Sequence, residues 1–312
     1  MRDFIILGGG PAGVSAAIYA ARGMIDCFIL DTATLGGQLN WTETIENYPG
    51  YLKISGFELI EKFREQLENL NVEIKQFQEI QKVDLTKQVK IIETLEGTYR
   101  AKSILIATGA NPRKLGVPGE KEFIGRGVSY CAVCDGAFFK EKNITVAGGG
   151  NSAIEESLYL TRYASSVTIV HRRDELRASK AYQEKVLNHP KIKFIWNSVI
   201  EEIKGNDRAV TDIMVKNVKT GKIEEYKTDG VFPYIGANPN TGLFKGQINL
   251  DETGYILTDE TMKTNVAGVY AAGDVRKTNL RQLVVSASDG AIAATDAIKY
   301  LDEVFEENSI PA

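Results

Sequence analysis

Apolar residues in this chain come in short uninterrupted runs. Phe4-Ile5-Ile6-Leu7, Cys27-Phe28-Ile29-Leu30, Ile144-Thr145-Val146-Ala147 and Val167-Thr168-Ile169-Val170 are each four residues long, the length of a strand buried on both faces. The first run leads into GGGPAG and then Val14 to Ala21, which is rich in helix formers; the third leads into GGGNSA and then Ile154 to Tyr163. Each half therefore predicts strand, glycine turn, helix and strand, the βαβ arrangement of an α/β protein. The segments Asn111 to Gly116 and Gly236 to Gly246 read as breaks on either side of the second such unit. The closing stretch Leu280 to Val304 has helical periodicity, with Leu283, Val284, Ala287, Ile292, Ala293, Ile298 and Leu301 as expected inward positions.

The glycine turns carry the first chemistry. Read as G-x-G-x-x-G, the first has Gly8 for the tight turn, Gly10 for close approach to a pyrophosphate and Gly13 for packing of helix on strand. The helix N-terminus behind them suits phosphate. Asp31 ends the next run, 23 residues after Gly8, where a carboxylate can accept hydrogen bonds from a free ribose. In the second turn Gly148, Gly150 and Ala153 fill the three small-residue places, and Asn151 and Ser152 lie between them as further candidate contacts. His171 falls 23 residues after Gly148, and HRRDELR takes the place of the acid. The planar forks of Arg172, Arg173 and Arg177 suit a 2′-phosphate that a carboxylate would repel. The first turn is thus expected to hold an adenosine with a free ribose, and the second NADP, with His171 among its contacts.

Length and composition narrow the class. At 312 residues and 43% hydrophobic, the chain is long enough for two globular domains without staples. Its net charge of −4, with both signs interleaved, excludes a duplex nucleic-acid partner. Phe4 to Ala21 carries no charge, but Asp3 ahead of it and Gly8-Gly9-Gly10-Pro11 within it argue against a secretory leader or membrane anchor. A cytoplasmic protein is expected, where thiols stay reduced. Of three cysteines, Cys27 sits in an apolar run and reads as core, while Cys131 and Cys134 form C-x-x-C. Neither His171 nor His189 stands at a zinc-ligand spacing from that pair, so no metal site is expected.

Cys131-Ala132-Val133-Cys134-Asp135 is a candidate redox relay: two thiols that can close a small disulfide, beside an acid able to move the proton that thiol exchange needs. Nicotinamide gives up a hydride, whereas a disulfide takes electrons through a thiolate, and a flavin bridges the two. The first glycine turn is the natural seat of FAD, so the chain spells NADPH, then FAD, then disulfide.

From GGGPAG through GGQL, ENYPG, ATG, CAVCD, GGGNSA, HRRDELR, IGANPN and AAGDV to Arg281-Gln282, the sequence resembles the low-molecular-weight thioredoxin reductases over nearly its whole length. The resemblance implies two Rossmann-like dinucleotide-binding domains, the NADPH domain (114–245, carrying the C-x-x-C) inserted into a discontinuous FAD domain (1–113 and 246–312). It implies flavin contacts at Gly37, Gln38, Asn47, Thr108, Gly109, Asp274, Arg281 and Gln282. Cys134 would receive the flavin's electrons, Cys131 would attack the disulfide of thioredoxin, and Asp135 would serve as the acid. Arg126 matches a position used to grip thioredoxin, and a homodimer is implied. The sequence departs from the family where two aromatics often follow CDG directly: here Ala137 precedes Phe138 and Phe139.

Because the cysteines and the NADP turn share one inserted unit, nicotinamide and disulfide must compete for the flavin, which calls for hinges at the two breaks. A flavoprotein reductase serving another small redox protein or a peroxidase component would keep this chemistry and change the partner. A non-catalytic nucleotide sensor would have no use for Cys131, Cys134 and Asp135.

Overall fold

In a computed structural model that describes residues 1–42 and 45–306, with the side chains of Trp41, Phe305 and Glu306 left aside, the chain forms two compact units. Unit 1 comprises Met1–Asn111 and Asn238–Ala312, and unit 2 Pro112–Ala237. The return crossing falls eight residues before the expected boundary at 245/246. The segment 238–245 belongs to unit 1 because Asn240 exchanges hydrogen bonds with Thr108 and Phe244 is fully buried in that unit's core.

In chain order unit 1 begins with β1 (Arg2–Leu7), α1 (Pro11–Arg22), β2 (Cys27–Leu30), α2 (Gly56–Asn69), β3 (Glu73–Lys75), β4 (Ile80–Asp84), β5 (Lys90–Thr94) and β6 (Gly97–Ile106). The first crossing lies in β7 (Ala110–Pro112). Unit 2 holds α3 (Ala132–Asp135), β8 (Asn143–Gly148), α4 (Asn151–Leu160), β9 (Ser166–Val170), α5 (Lys180–Leu187), β10 (Ile192–Ile195), β11 (Ser198–Gly205), β12 (Val210–Asn217), β13 (Ile223–Lys227) and β14 (Gly230–Tyr234). After β15 (Ala237–Pro239) the chain returns to unit 1 as β16 (Val269–Ala271) and α6 (Leu283–Leu301).

Both units share one plan. In unit 1 the order is β3-β2-β1-β6-β5-β4, with β16 also parallel to β6; in unit 2 it is β10-β9-β8-β14, all parallel, beside an antiparallel meander β11-β12-β13. These are the crossovers of a doubly wound sheet, whose ligands lie beyond the carboxyl ends of the strands. The apolar runs explain the layering. Phe4 and Ile6 of β1 enter the core under α1, while Ile5 and Leu7 enter the core on the other face, as the two-residue period of a strand requires.

Two local features fix the helices. α2 is closed by a capping box, Ser55 accepting the Glu58 amide while Glu58 accepts the Ser55 amide. α6 buries Ala293 and Leu301 as expected but otherwise turns a different face inward: Val284 and Ile292 are exposed, and Ser286, Asp289, Gly290, Ala294 and Ala297 are buried. The reason is close packing, since a Cβ on Gly290 would overlap the Ala12 carbonyl oxygen of α1. Among the described residues no helix is long and apolar enough to cross a membrane.

Candidate active site

In unit 1 the first glycine turn is shaped by sterics. Gly8 has φ of +111°, a conformation that favours glycine, and a Cβ on Gly13 would overlap the Gly8 carbonyl oxygen. By contrast a Cβ on Gly10 or Gly109 would meet nothing within 4 Å, and one on Gly37 would meet only Gly10. The turn therefore closes tightly at its base and opens above a backbone cradle at the N-terminus of α1. Asp31 closes one side: its carboxylate accepts the Gly9 amide and, at 2.8 Å, the Ala33 amide. Burial pushes its pKa up against those hydrogen bonds.

Residues far apart in sequence meet around this cradle. Gln38 donates to the Ala110 carbonyl at 2.9 Å and to Asp274 at 3.3 Å; Asn47 donates to Gln282 at 3.1 Å; Thr108 donates to the Asn240 carbonyl at 2.9 Å. Burial raises the pKa of Asp274, opposed by Arg281 and by the Gln38 bond. Arg281 lies over the ring of Tyr255 at 4.2 Å, a partner with no local sequence signal. Open glycine backbone at a helix N-terminus and the half-buried carboxyls of Asp31 and Asp274 make a donor and acceptor set that fits a dinucleotide.

Unit 2 repeats the turn with another charge. Gly150 is open and Ala153 fully buried. Asn151 accepts the Ser179 amide at 2.8 Å, and the Arg177 amide donates to the Gly149 carbonyl at 2.8 Å, which ties the basic segment to the turn. Arg172, Arg173 and Arg177 are exposed and form no side-chain hydrogen bond or ion pair among the described residues. His171 is only 4% exposed, lies beneath Gly149, and leaves Nε2 without a hydrogen-bond partner among the described residues. Burial chiefly, and then Arg177, Arg173 and Arg172, push its pKa down against a backbone hydrogen bond at Glu175, which favours the neutral ring. Three unpaired guanidinium groups beside a glycine turn fit a nucleotide with an extra phosphate.

In the same unit Cys131 and Cys134 are joined in a disulfide, Cys131 capping α3 and Cys134 within it. Ser129 accepts the Cys131 amide at 3.1 Å and donates to Asp135 at 2.6 Å. The Ala132 amide donates to the hydroxyl of Tyr234, at the end of β14, at 2.6 Å. Burial raises the pKa of Tyr234 well above its ordinary value, and neighbouring Glu156 and Asp135 add to the shift. Glu156 of α4 has one buried carboxylate oxygen without a hydrogen-bond partner among the described residues, and burial with Glu155 pushes its pKa up to about 7. Ala137 and Phe138 are exposed, whereas Phe139 is buried edge-on to Phe232 at 5.0 Å. Arg126 donates to the Asp207 and Glu122 carbonyls, each at 2.9 Å. Among the described residues no cluster of three or more His, Cys, Asp or Glu could hold a metal.

The family model for the pyridine nucleotide-disulphide oxidoreductases matches residues 2–290. The chain belongs to that family. The family membership implies use of a flavin and a nicotinamide nucleotide. Among curated relatives, the thioredoxin reductase of Peptoclostridium acidaminophilum is 49% identical over 312 residues, covering 98% of each chain. Among solved structures, the thioredoxin reductase of Streptococcus pyogenes MGAS5005 matches with TM-score 0.91 at 48% identity, covering 97% of this chain and 99% of that one. The thioredoxin reductase of Lactococcus lactis, in its FR conformation, matches with TM-score 0.67 at 47% identity, covering 97% and 100%.

Proposed function

We propose that this protein is a thioredoxin-disulfide reductase that carries electrons from NADPH, by way of FAD and the Cys131–Cys134 disulfide, to thioredoxin. What carries the reading is the placement of that disulfide on the head of a short helix in the same unit as a glycine turn with three unpaired arginines. Near half identity over the full length to proteins named thioredoxin reductase supports it.

In unit 1 the residues that would hold FAD are Gly8, Gly10, Gly13, Asp31, Gly37, Gln38, Asn47, Thr108, Gly109, Asp274, Arg281 and Gln282. Unit 1 is thus the FAD domain of the reading and unit 2 its NADPH domain. In unit 2 Gly148, Gly150, Asn151, Ser152 and Ala153 would take the pyrophosphate of NADPH, with Arg172, Arg173 and Arg177 on its 2′-phosphate. His171, buried under Gly149, would support the turn from below. When bound, the flavin supplies the conversion of hydride into the electron pair that a disulfide accepts.

Once the pair is reduced, the Cys131 thiolate attacks the carrier's disulfide, breaking that S–S bond and forming a mixed disulfide while a carrier thiolate leaves. Asp135, held by Ser129, takes the proton of the Cys134 thiol and passes it to the leaving thiolate. The Cys134 thiolate then attacks Cys131 Sγ, re-forming the internal disulfide and releasing the second carrier sulfur as a thiolate that takes its proton from solvent. On this reading the crossings between the units act as hinges; two relatives of near-equal identity to this chain but TM-scores of 0.91 and 0.67 support it. A homodimer working in the cytoplasm completes the proposal.

The test is direct. Purified protein should be yellow, bleach on NADPH, and reduce thioredoxin with NADPH in strong preference to NADH. A colourless protein that takes up no flavin would overturn the reading.

A further inference from the structure

One buried carboxylate grips both ends of the turn that carries Asp274. Asp289, on α6 and 3% exposed, accepts the Gly273 amide at 3.0 Å. It also takes the two prongs of Arg276, Nε at 2.7 Å on Oδ2 and Nη2 at 2.8 Å on Oδ1. Gly273 opens the 3₁₀ turn Gly273–Val275 and Arg276 closes it, so Asp274 is bracketed on each side.

The bracket is also tied to the glycine cradle. Gly273 has φ of +75°, and a Cβ on it would come within 3.1 Å of the Ala12 side chain in the first turn of α1. Gly290, next to Asp289, packs on the Ala12 carbonyl. Asp289 therefore stands where α6, the Asp274 turn and the head of α1 meet. A buried ion pair adds little net stability over an apolar replacement, so its use here points to geometry rather than to strength. Its charges matter as well: Asp289 disfavours ionisation of the neighbouring Asp274, and Arg276 neutralises Asp289.

We propose that Asp289 and Arg276 are positioning residues of the flavin site, holding the Asp274 turn in register with the α1 cradle and thereby setting flavin affinity. This rests on the flavin reading of unit 1.

The experiment uses full-length holoenzyme and the variants Asp289→Asn, Arg276→Gln and Arg276→Lys. Release of FAD is followed by the rise of flavin fluorescence on dilution, with far-ultraviolet circular dichroism as the check on fold. Asp289→Asn and Arg276→Gln should weaken FAD binding by about tenfold or more. Arg276→Lys, which keeps the charge but not the fork, should recover part of the loss. If Asp289→Asn does not fold, the contrast between Arg276→Gln and Arg276→Lys decides. Folded variants that hold FAD as wild type does, even with lowered melting temperature, would overturn the proposal and leave the flavin reading standing. Wild-type protein that holds no FAD overturns both.

Discussion

Ser129 donates its hydroxyl proton to the Asp135 carboxylate at 2.6 Å, linking a residue ahead of Cys131 to the one just after Cys134. The same oxygen accepts the Cys131 amide at 3.1 Å, so one side chain orients both the acid and the backbone of the first cysteine. Asp135→Asn should slow thioredoxin turnover by about 10²-fold, the low end for loss of a proton-transfer group. Ser129→Ala removes only the orientation and should cost roughly tenfold. Neither should alter bleaching of the flavin by NADPH in stopped-flow. A Ser129→Ala enzyme with wild-type turnover would reduce this bond to a structural one.

Arg172 and Arg173 set up a clean discrimination, because among the described residues their side chains form no hydrogen bond or ion pair. Charge-assisted hydrogen bonds contribute about 1.5–3 kcal/mol each. Replacing both with leucine should therefore raise the KM for NADPH by about 10² or more while leaving NADH nearly unaffected. Steady-state kinetics with both nucleotides measures this, and equal losses would place the 2′-phosphate elsewhere.

The parts of this molecule that announce themselves in sequence are those built locally. Phe4–Leu7 with Gly8, Gly10 and Gly13, and Ile144–Ala147 with Gly148 and Gly150, are strand and turn signals because strand burial and backbone sterics act over a few residues. Asp31 and the arginines follow from counting along a fixed βαβ unit. Tyr234 is bonded to an amide 102 residues away and Arg276 is paired across a turn and helix to Asp289, so no spacing rule reaches them. The inward face of α6 is legible only at Ala293 and Leu301, because hydrophobic periodicity favours large residues. Its approach to α1 instead requires small ones, and leaves Val284 and Ile292 outside. Crossing points between units depend on which contacts a loop makes, as Asn240 with Thr108 illustrates.

The cysteines should separate under substitution. Cys131→Ser leaves Cys134 and should preserve flavin reduction by NADPH while abolishing thioredoxin reduction. In Cys134→Ser the Cys131 thiol remains, so a mixed disulfide with thioredoxin should form and persist, since no second thiolate is available to resolve it. Mass spectrometry of the quenched reaction detects that adduct. An adduct on the Cys131→Ser enzyme instead would exchange the two roles.

Glu156 makes the sharpest prediction about stability. Burial lifts its pKa from the ordinary 4.5 to about 7 in the folded chain. Between those values the native protein keeps a proton that the unfolded chain has lost, so the contribution is full below pH 4.5 and declines as pH rises through about 7. The length of that window caps its size at about 3.4 kcal/mol, and the partial exposure of the side chain lowers it from there. Glu156→Gln carries no charge at any pH and removes this slope. Melting temperatures measured at intervals from pH 5 to about 8 should therefore show the variant gaining on wild type as pH rises. A difference that stays constant across the range would mean that Glu156 is ionised in the fold, with water reaching its buried oxygen.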